Sequence, residues 1–127
     1  MVRRTKAFAV RVVKLTTALP NNRQGNAIGG QLIRSGTSVG ANYRAARRAR
    51  STAEFRAKLG IVEEEADESA FWLEMVMETG LLPRDRVLSL HREAEEITAI
   101  VVASIRTSKR NGGKGHPADR PIKERPR

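Results

Sequence analysis

A cluster of arginines near the middle of the chain is the group of residues best suited to bind a ligand. Four arginines fall between residues 44 and 50, and seven more basic residues lie in residues 109–127. The planar guanidinium group of arginine matches the geometry of a phosphate. The candidates for contact with the phosphates of RNA or DNA are therefore Arg34, Arg44, Arg47, Arg48, Arg50, Lys109 and Arg110. The alternative is that these charges only keep the protein soluble.

The charge is distributed unevenly along the 127 residues, whose formal net charge is +10. Residues 1–50 contain 11 basic residues and no acidic ones, whereas residues 51–108 contain six basic and 12 acidic residues. Such asymmetry favours a polyanion as partner. Because aromatic residues make up only 4% of the chain, we expect binding through the phosphate backbone, with low sequence specificity, rather than base stacking on aromatic rings.

No set of residues typical of an enzyme can be assembled from this sequence. The histidines are His91 and His116, and Leu88 lies three residues before His91, which excludes the Glu-x-x-His pairs of di-iron bundles. Cysteine is absent, which excludes a disulfide scaffold, a thiolate zinc site and a cysteine nucleophile. Gly29 and Gly30 are not part of a phosphate-binding loop motif. We therefore expect no catalytic residues, no metal site and no cofactor.

An acidic run and a single tryptophan each have two interpretations. Five acidic residues between positions 63 and 68 could bind a hard cation, but they point in several directions around a helix. Pairing with the arginines of the preceding helix, within the chain or between subunits, fits better. Trp72 is expected to pack at a helix or subunit contact rather than to stack on a base. His91 is expected to be packed or solvated.

The spacing of apolar residues predicts an all-α fold with four helices. The helices are expected over residues 3–19, over 22–50, between Ser51 and Gly80, and over 83–108. Ser51 and Glu54 form a capping-box pair, and Gly80 is a typical helix-ending glycine. The third helix has the clearest heptad repeat: Phe55, Leu59, Val62, Ala66, Ser69, Leu73 and Val76. Short connections between long helices favour an antiparallel up-down-up-down four-helix bundle.

Domain organisation and location also follow from the pattern. Residues 1–108 are predicted to form the four-helix bundle domain and residues 109–127 a disordered basic tail, since the tail is rich in Gly, Pro and charge. No 18-residue apolar run exists that would span a membrane. Arg11 and Lys14 interrupt any secretory signal; a basic first helix also fits a mitochondrial transit peptide. We expect a cytoplasmic protein.

The second helix is unusually rich in small residues. Gly29, Gly30, Gly36 and Gly40 lower its intrinsic stability. The resulting thin helix fits either a close neighbour inside the bundle or a face that packs on another subunit, and residue types do not separate the two. The candidate subunit-interface residues are Ser35, Ser38, Asn42, Tyr43 and Trp72.

An ordered series of motifs makes the chain recognisable. The motifs are Gln31-Leu32, Arg34-Ser35, Ser38, Ala41-Asn42-Tyr43-Arg44, Glu54-Phe55, Lys58-Leu59, Glu65-Ala66-Asp67-Glu68, Trp72-Leu73 and Gly80-Leu81-Leu82. In this order they resemble the four helix bundle protein family, also called the 23S ribosomal RNA intervening-sequence protein family, over residues 8–106. The resemblance implies a ring-shaped homopentamer, similar in architecture to the accessory protein of diversity-generating retroelements, which binds nucleic acid and a reverse transcriptase. Ala45 stands where the family leads us to expect Glu, which puts an intersubunit ion pair in doubt.

Two functional hypotheses follow. The first is a non-enzymatic, oligomeric protein that binds RNA or DNA through phosphate-directed arginines. The alternative is an oligomeric adaptor that docks on a protein partner, such as a polymerase-type enzyme, through the acidic face of the third helix and has no nucleic-acid role of its own.

Overall fold

The structure, a computed structural model, describes residues 1–111. Four helices make up this part of the chain. The helices are α1 (Val2–Thr16), α2 (Arg23–Arg47), α3 (Thr52–Glu78) and α4 (Arg84–Arg110), and no strand occurs among these residues. Helices that follow one another in sequence pack side by side, and α1 also contacts α4. The all-α fold with four helices was predicted from the sequence and is confirmed.

The helices run antiparallel to their neighbours. Arg56, near the start of α3, donates from Nη1 to the carbonyl of Ser108 near the end of α4, at 3.4 Å. Glu74, near the end of α3, lies 2.7 Å from His91 in the first half of α4. No helix within residues 1–111 is both long enough and apolar enough to cross a membrane.

The ends of the third helix follow the predicted signals. The Ser51 side chain accepts a 3.1 Å hydrogen bond from the backbone N–H of Glu54. At the other end Gly80 has φ +73°. Glycine adopts this left-handed conformation at little energetic cost because it has no Cβ. The N–H of Leu81 bonds the carbonyl of Val76 at 3.1 Å and that of Gly80 bonds Met77 at 3.2 Å, which is the Schellman pattern.

The predicted starts of α1, α2 and α4 differ from the structure by one residue each, and their ends differ by two or three. The first helix ends at Thr16 rather than at residue 19, because residues 17–19 form tighter bonds to the carbonyl three residues earlier. The second helix ends at Arg47 rather than at residue 50, since the chain must become extended at Ser51 to cap α3. The fourth helix continues through Arg110, two residues into the predicted tail. The rest of that tail, residues 112–127, lies outside the described residues.

The core is built from the predicted apolar stripes. On α3, all heptad residues from Leu59 to Val76 are buried and Phe55 is half-buried. The largest fully buried side chains of the four helices include Phe8, Val12, Leu32, Val39, Leu59, Leu73, Val87 and Ile97. Burying each such side chain contributes about 1.5–3 kcal/mol. This core fixes the rotation of every helix and therefore decides which polar residues face solvent.

The small residues of α2 pack mainly against α1. A Cβ on Gly36 would lie 2.7 Å from a methyl group of Val12, and one on Gly40 would lie 3.3 Å from the carbonyl oxygen of Thr5. Gly30 is different, because nothing lies within 4 Å of its Cβ position. Of the two interpretations of this thin helix, the close neighbour inside the bundle accounts for Gly36 and Gly40.

An ion pair fastens α1 to α4. Arg4 donates from Nε and Nη2 to the two carboxylate oxygens of Glu93, both at 2.8 Å, and its Nη2 lies 2.8 Å from Glu96. The hydrogen bonds from Arg4 lower the pKa of Glu93, while those to Glu93 and Glu96 raise the pKa of Arg4. A bidentate pair with a carboxylate only 19% exposed is of the kind that contributes to stability.

Glu93→Gln is expected to lower the free energy of unfolding by about 1 kcal/mol at neutral pH. Because the pKa of Glu93 is lower in the folded protein, its contribution is complete above the unfolded pKa and is lost as the pH falls through the folded one. Urea denaturation of the two proteins should therefore converge at acid pH. Glu64→Gln is the control, since Glu64 is exposed and forms no ion pair within residues 1–111. A difference that persists at acid pH would contradict an electrostatic role.

Candidate functional site

A cleft open to the surface lies where the end of α2 meets the start of α3. Its volume is about 540 Å³. Four cationic side chains and one carboxylate line it, together with two alanines. The lining residues are Ala41, Arg44, Ala45, Arg48, Arg50, Glu54 and Lys58. We call this feature the cationic cleft.

The turn between the two helices brings these cations together. Arg44 lies in the last turn of α2, Arg48 is the C-cap residue and Arg50 belongs to the connection. Lys58 projects from the second turn of α3, across the connection from Arg48. Arg48 and Arg50 were predicted to be helical and are not. Their position in the turn is what places them beside a residue of the next helix.

The cations of the cleft have little opposing charge. Across residues 1–111, Arg44, Arg48, Arg50 and Lys58 form no ion pair within 4 Å. The one carboxylate of the lining, Glu54, accepts a long 3.4 Å bond from the backbone N–H of Arg50. Four cations facing a single carboxylate give the cleft a positive potential, which attracts anions. Ala45, where the family led us to expect Glu, adds no second carboxylate.

Other predicted phosphate contacts surround the cleft without lining it. Arg47 is exposed in the last turn of α2 and does not line the cleft. Lys109 and Arg110 are exposed in the last turn of α4. The contact between Arg56 and Ser108 puts this turn at the same end of the bundle as the start of α3. That end therefore gathers most of the predicted cations.

Among the predicted phosphate contacts, Arg34 already forms ion pairs within the chain. It lies 3.1 Å from Glu65 and also bonds Glu68. The hydrogen bond from Trp72 and the one from Arg34 lower the pKa of Glu68, and the bonds to Glu68 and Glu65 raise the pKa of Arg34. The predicted pairing of the acidic run with an arginine of the preceding helix is confirmed for Arg34. Its guanidinium is thus less free than those of the cleft.

Ser35, one of the interface candidates, is fully buried in the single chain. Ser69 Oγ donates a 3.0 Å hydrogen bond to its Oγ, so it lies between α2 and α3. A polar side chain can occupy such a position when its hydrogen bond is made inside the protein. Ser35 therefore contributes to the contact between these two helices, and its role at a subunit interface stays a prediction.

The remaining interface candidates are half-buried. Asn42 donates from Nδ2 to the carbonyl oxygen and the hydroxyl of Ser38, at 2.9 and 2.8 Å. Tyr43 and Trp72 pack against the core, as expected of Trp72, whose Nε1 donates to Glu68 at 3.1 Å. Phe71, which no sequence pattern singled out, is 49% exposed and meets the Trp72 ring edge-on at 4.9 Å between centroids.

A second polar region, the acidic groove, lies between α3 and α4. Its volume is about 250 Å³, and its lining residues are Asp67, Ala70, Glu74, Glu95, Thr98 and Ala99. His91 is packed beside it, 2.7 Å from Glu74 and 3.5 Å from Glu95. No group of three or more His, Cys, Asp or Glu side chains among the described residues has the arrangement of a metal site.

Comparison with known proteins identifies the family. The sequence profile of the 23S rRNA-intervening sequence protein matches residues 1–103. A crystal structure of a protein of unknown function from the S23 ribosomal protein family of Bacteroides thetaiotaomicron is 36% identical in sequence. The match covers 82% of this chain and 96% of that one, with a TM-score of 0.77. No curated protein matches significantly. The chain belongs to the 23S rRNA-intervening sequence protein family.

Proposed function

We propose that this protein is a non-enzymatic, cytoplasmic RNA- or DNA-binding protein that holds its ligand by phosphate contacts. The observation that carries the proposal is the cationic cleft, in which four cations face one carboxylate and have no ion-pair partner within residues 1–111. Like charges held this close repel one another, and a polyanion relieves that repulsion while releasing its own counterions.

Low sequence specificity follows from the side chains that line the cleft. Arginine forks match phosphate oxygens, whereas no aromatic ring is present in the lining on which a base could stack. Contacts to phosphates position a protein on nucleic acid but do not read its sequence. Arg47, Lys109 and Arg110 would add to the attraction from the same end of the bundle.

The protein is proposed to have no catalytic activity. His91 is held between Glu74 and Glu95, outside the cationic cleft. The cleft contains cations and a single carboxylate, Glu54, with no histidine, cysteine or second carboxylate in its lining. Binding, rather than chemistry, is what this set of residues can perform.

A homo-oligomer, the ring-shaped homopentamer that the family resemblance implies, is part of the proposal. Support comes from apolar side chains that remain 40–49% exposed on the single chain, namely Val10, Val13, Ile33 and Phe71. Apolar surface of this kind is commonly covered by a second subunit. A ring would present several cationic clefts at once and bind a long polyanion by avidity.

Fluorescence anisotropy with RNA and DNA duplexes across a salt series tests the nucleic-acid proposal. We expect binding to both, with log Kd rising linearly with log salt concentration and a slope that counts the phosphate contacts. Similar affinity for unrelated sequences is expected as well. Absence of binding at low salt would refute the proposal and leave assembly or solubility as the role of the arginines.

An adaptor function is the second candidate, and the acidic groove is the observation that favours it. Asp67, Glu74 and Glu95 form a surface of opposite charge to the cleft, on a different pair of helices, and could dock a basic protein partner such as a polymerase-type enzyme. Neutralising these three carboxylates would then abolish partner binding and change nucleic-acid affinity by less than about tenfold, through the long-range field alone. Retention of partner binding in this variant would count against the adaptor.

A further inference from the structure

The cationic cleft continues into a second groove between α1 and α2. This groove has a volume of about 210 Å³. Its lining residues are Val2, Lys6, Ala9, Thr37, Gly40, Ala41 and Arg44. Ala41 and Arg44 line both the groove and the cleft. The two are therefore neighbouring parts of one surface, with Arg44 at their junction.

Backbone and small residues form the bottom of the groove, because α1 and α2 approach closely there. A Cβ on Gly40 would lie 3.3 Å from the carbonyl oxygen of Thr5 and 3.6 Å from the Cα of Lys6. Since Gly40 and Ala41 carry almost no side chain, nothing large rises between Lys6 on one side and Arg44 on the other. An extended ligand can thus pass from the cleft into the groove.

The groove carries fewer charged side chains than the cleft. Lys6 and Arg44 are its only cations, no carboxylate lines it, and the small or apolar residues Val2, Ala9 and Gly40 complete most of the wall. Lys6 is exposed and forms no ion pair within the part of the chain described. This mixture of cationic and apolar lining suits a polymer that has both charged and less polar units.

We propose that the groove is a second subsite that extends the cleft, so that one sugar–phosphate backbone crosses α1, α2 and α3. This inference rests on the proposed function. Phosphates contact Lys6, Arg44 and the cations of the cleft, and the sugars between them lie against Val2 and Ala9. A nucleic-acid backbone fits this mixed lining better than inorganic polyphosphate, which has no apolar part. The subsite makes binding depend on ligand length.

The test compares Lys6→Ala with Lys14→Ala on the full chain. Lys14 is also exposed on α1 but lines neither the cleft nor the groove, so it controls for the loss of one charge. Labelled oligonucleotides of about 4 to about 16 nucleotides, a range typical of strand-binding sites, are titrated by anisotropy. Lys6→Ala is expected to weaken binding of the longest about fivefold and to lower its salt slope by about one, with no change for the shortest. Lys14→Ala should resemble the wild type.

Thr37→Arg is the complementary variant, because Thr37 is exposed and lines the groove. The added cation should strengthen binding of the longest oligonucleotide and not of the shortest. The inference is overturned if wild type binds but Lys6→Ala and Lys14→Ala behave alike at every length. It is also overturned if inorganic polyphosphate depends on Lys6 as strongly as the oligonucleotide does. If the wild type binds no oligonucleotide at all, the proposed function itself fails.

Discussion

Replacing Arg44, Arg48 and Arg50 together with alanine is expected to weaken binding to a nucleic-acid duplex by about two to three orders of magnitude near 0.1 M salt. These residues supply three of the four cations of the cleft. Each phosphate contact releases counterions, so the loss of three contacts is multiplicative. The decrease should be similar for RNA and DNA of unrelated sequence, because phosphate contacts carry no sequence information.

A matched variant separates the cleft from net charge. Arg84, Arg86 and Arg92 are exposed on α4 and do not line the cleft, so their replacement by alanine removes the same charge. We expect this control to weaken binding by less than about tenfold, through the long-range field alone. All six arginines are solvent-exposed, so both proteins should fold normally, which circular dichroism checks. Equal losses in the two variants would show that only net charge matters.

The second large effect is on stability and concerns Gly25 at the start of α2. A Cβ added at Gly25 would lie 2.0 Å from the carbonyl oxygen of Pro20, which is backbone and cannot move aside cheaply. The N–H of Gly25 also donates the 2.8 Å hydrogen bond that the Asn22 cap accepts. Gly25→Ala is therefore expected to lower the free energy of unfolding by about 2–4 kcal/mol, as overpacking and loss of a cap combine.

Gly30→Ala in the same helix should have the opposite sign. Gly30 is exposed, nothing lies within 4 Å of its Cβ position, and alanine is the better helix former by about 0.8–1 kcal/mol. Thermal denaturation of both variants is compared at one fixed protein concentration, because the Tm of a self-associating protein depends on concentration. A Tm for Gly25→Ala at or above the wild-type value would contradict the geometry of the α1–α2 connection.

The helices could be predicted because their determinants are local. The heptad repeat on α3, the cap at Ser51 and the glycine at residue 80 each specify structure within a few neighbouring residues. The ends of α1 and α2 were less predictable, because their side chains are compatible with a longer helix. In the structure, the backbone N–H groups just beyond each end form hydrogen bonds to the carbonyl three residues earlier. Helix ends depend on the geometry of the next element.

The site could be predicted only in part. Arg44, Arg48 and Arg50 were found because they are close in sequence, but Lys58 was missed because it reaches the cleft from another helix. The intrachain partners of Ser35 and Arg34 were missed for a related reason. These partners, Ser69 and the acidic residues of α3, lie about 30 residues away in sequence, and a helical pattern does not state which residues of the next helix will face them.

The most direct test of the cationic cleft is the slope of log Kd against log salt concentration for a duplex, measured side by side for the wild type and the Arg44/Arg48/Arg50 triple alanine variant. We expect two straight lines whose slopes differ by about three, since each lost phosphate contact lowers the slope by about 0.9. Parallel lines would mean that the cationic cleft does not contact phosphates, and would refute the proposed function.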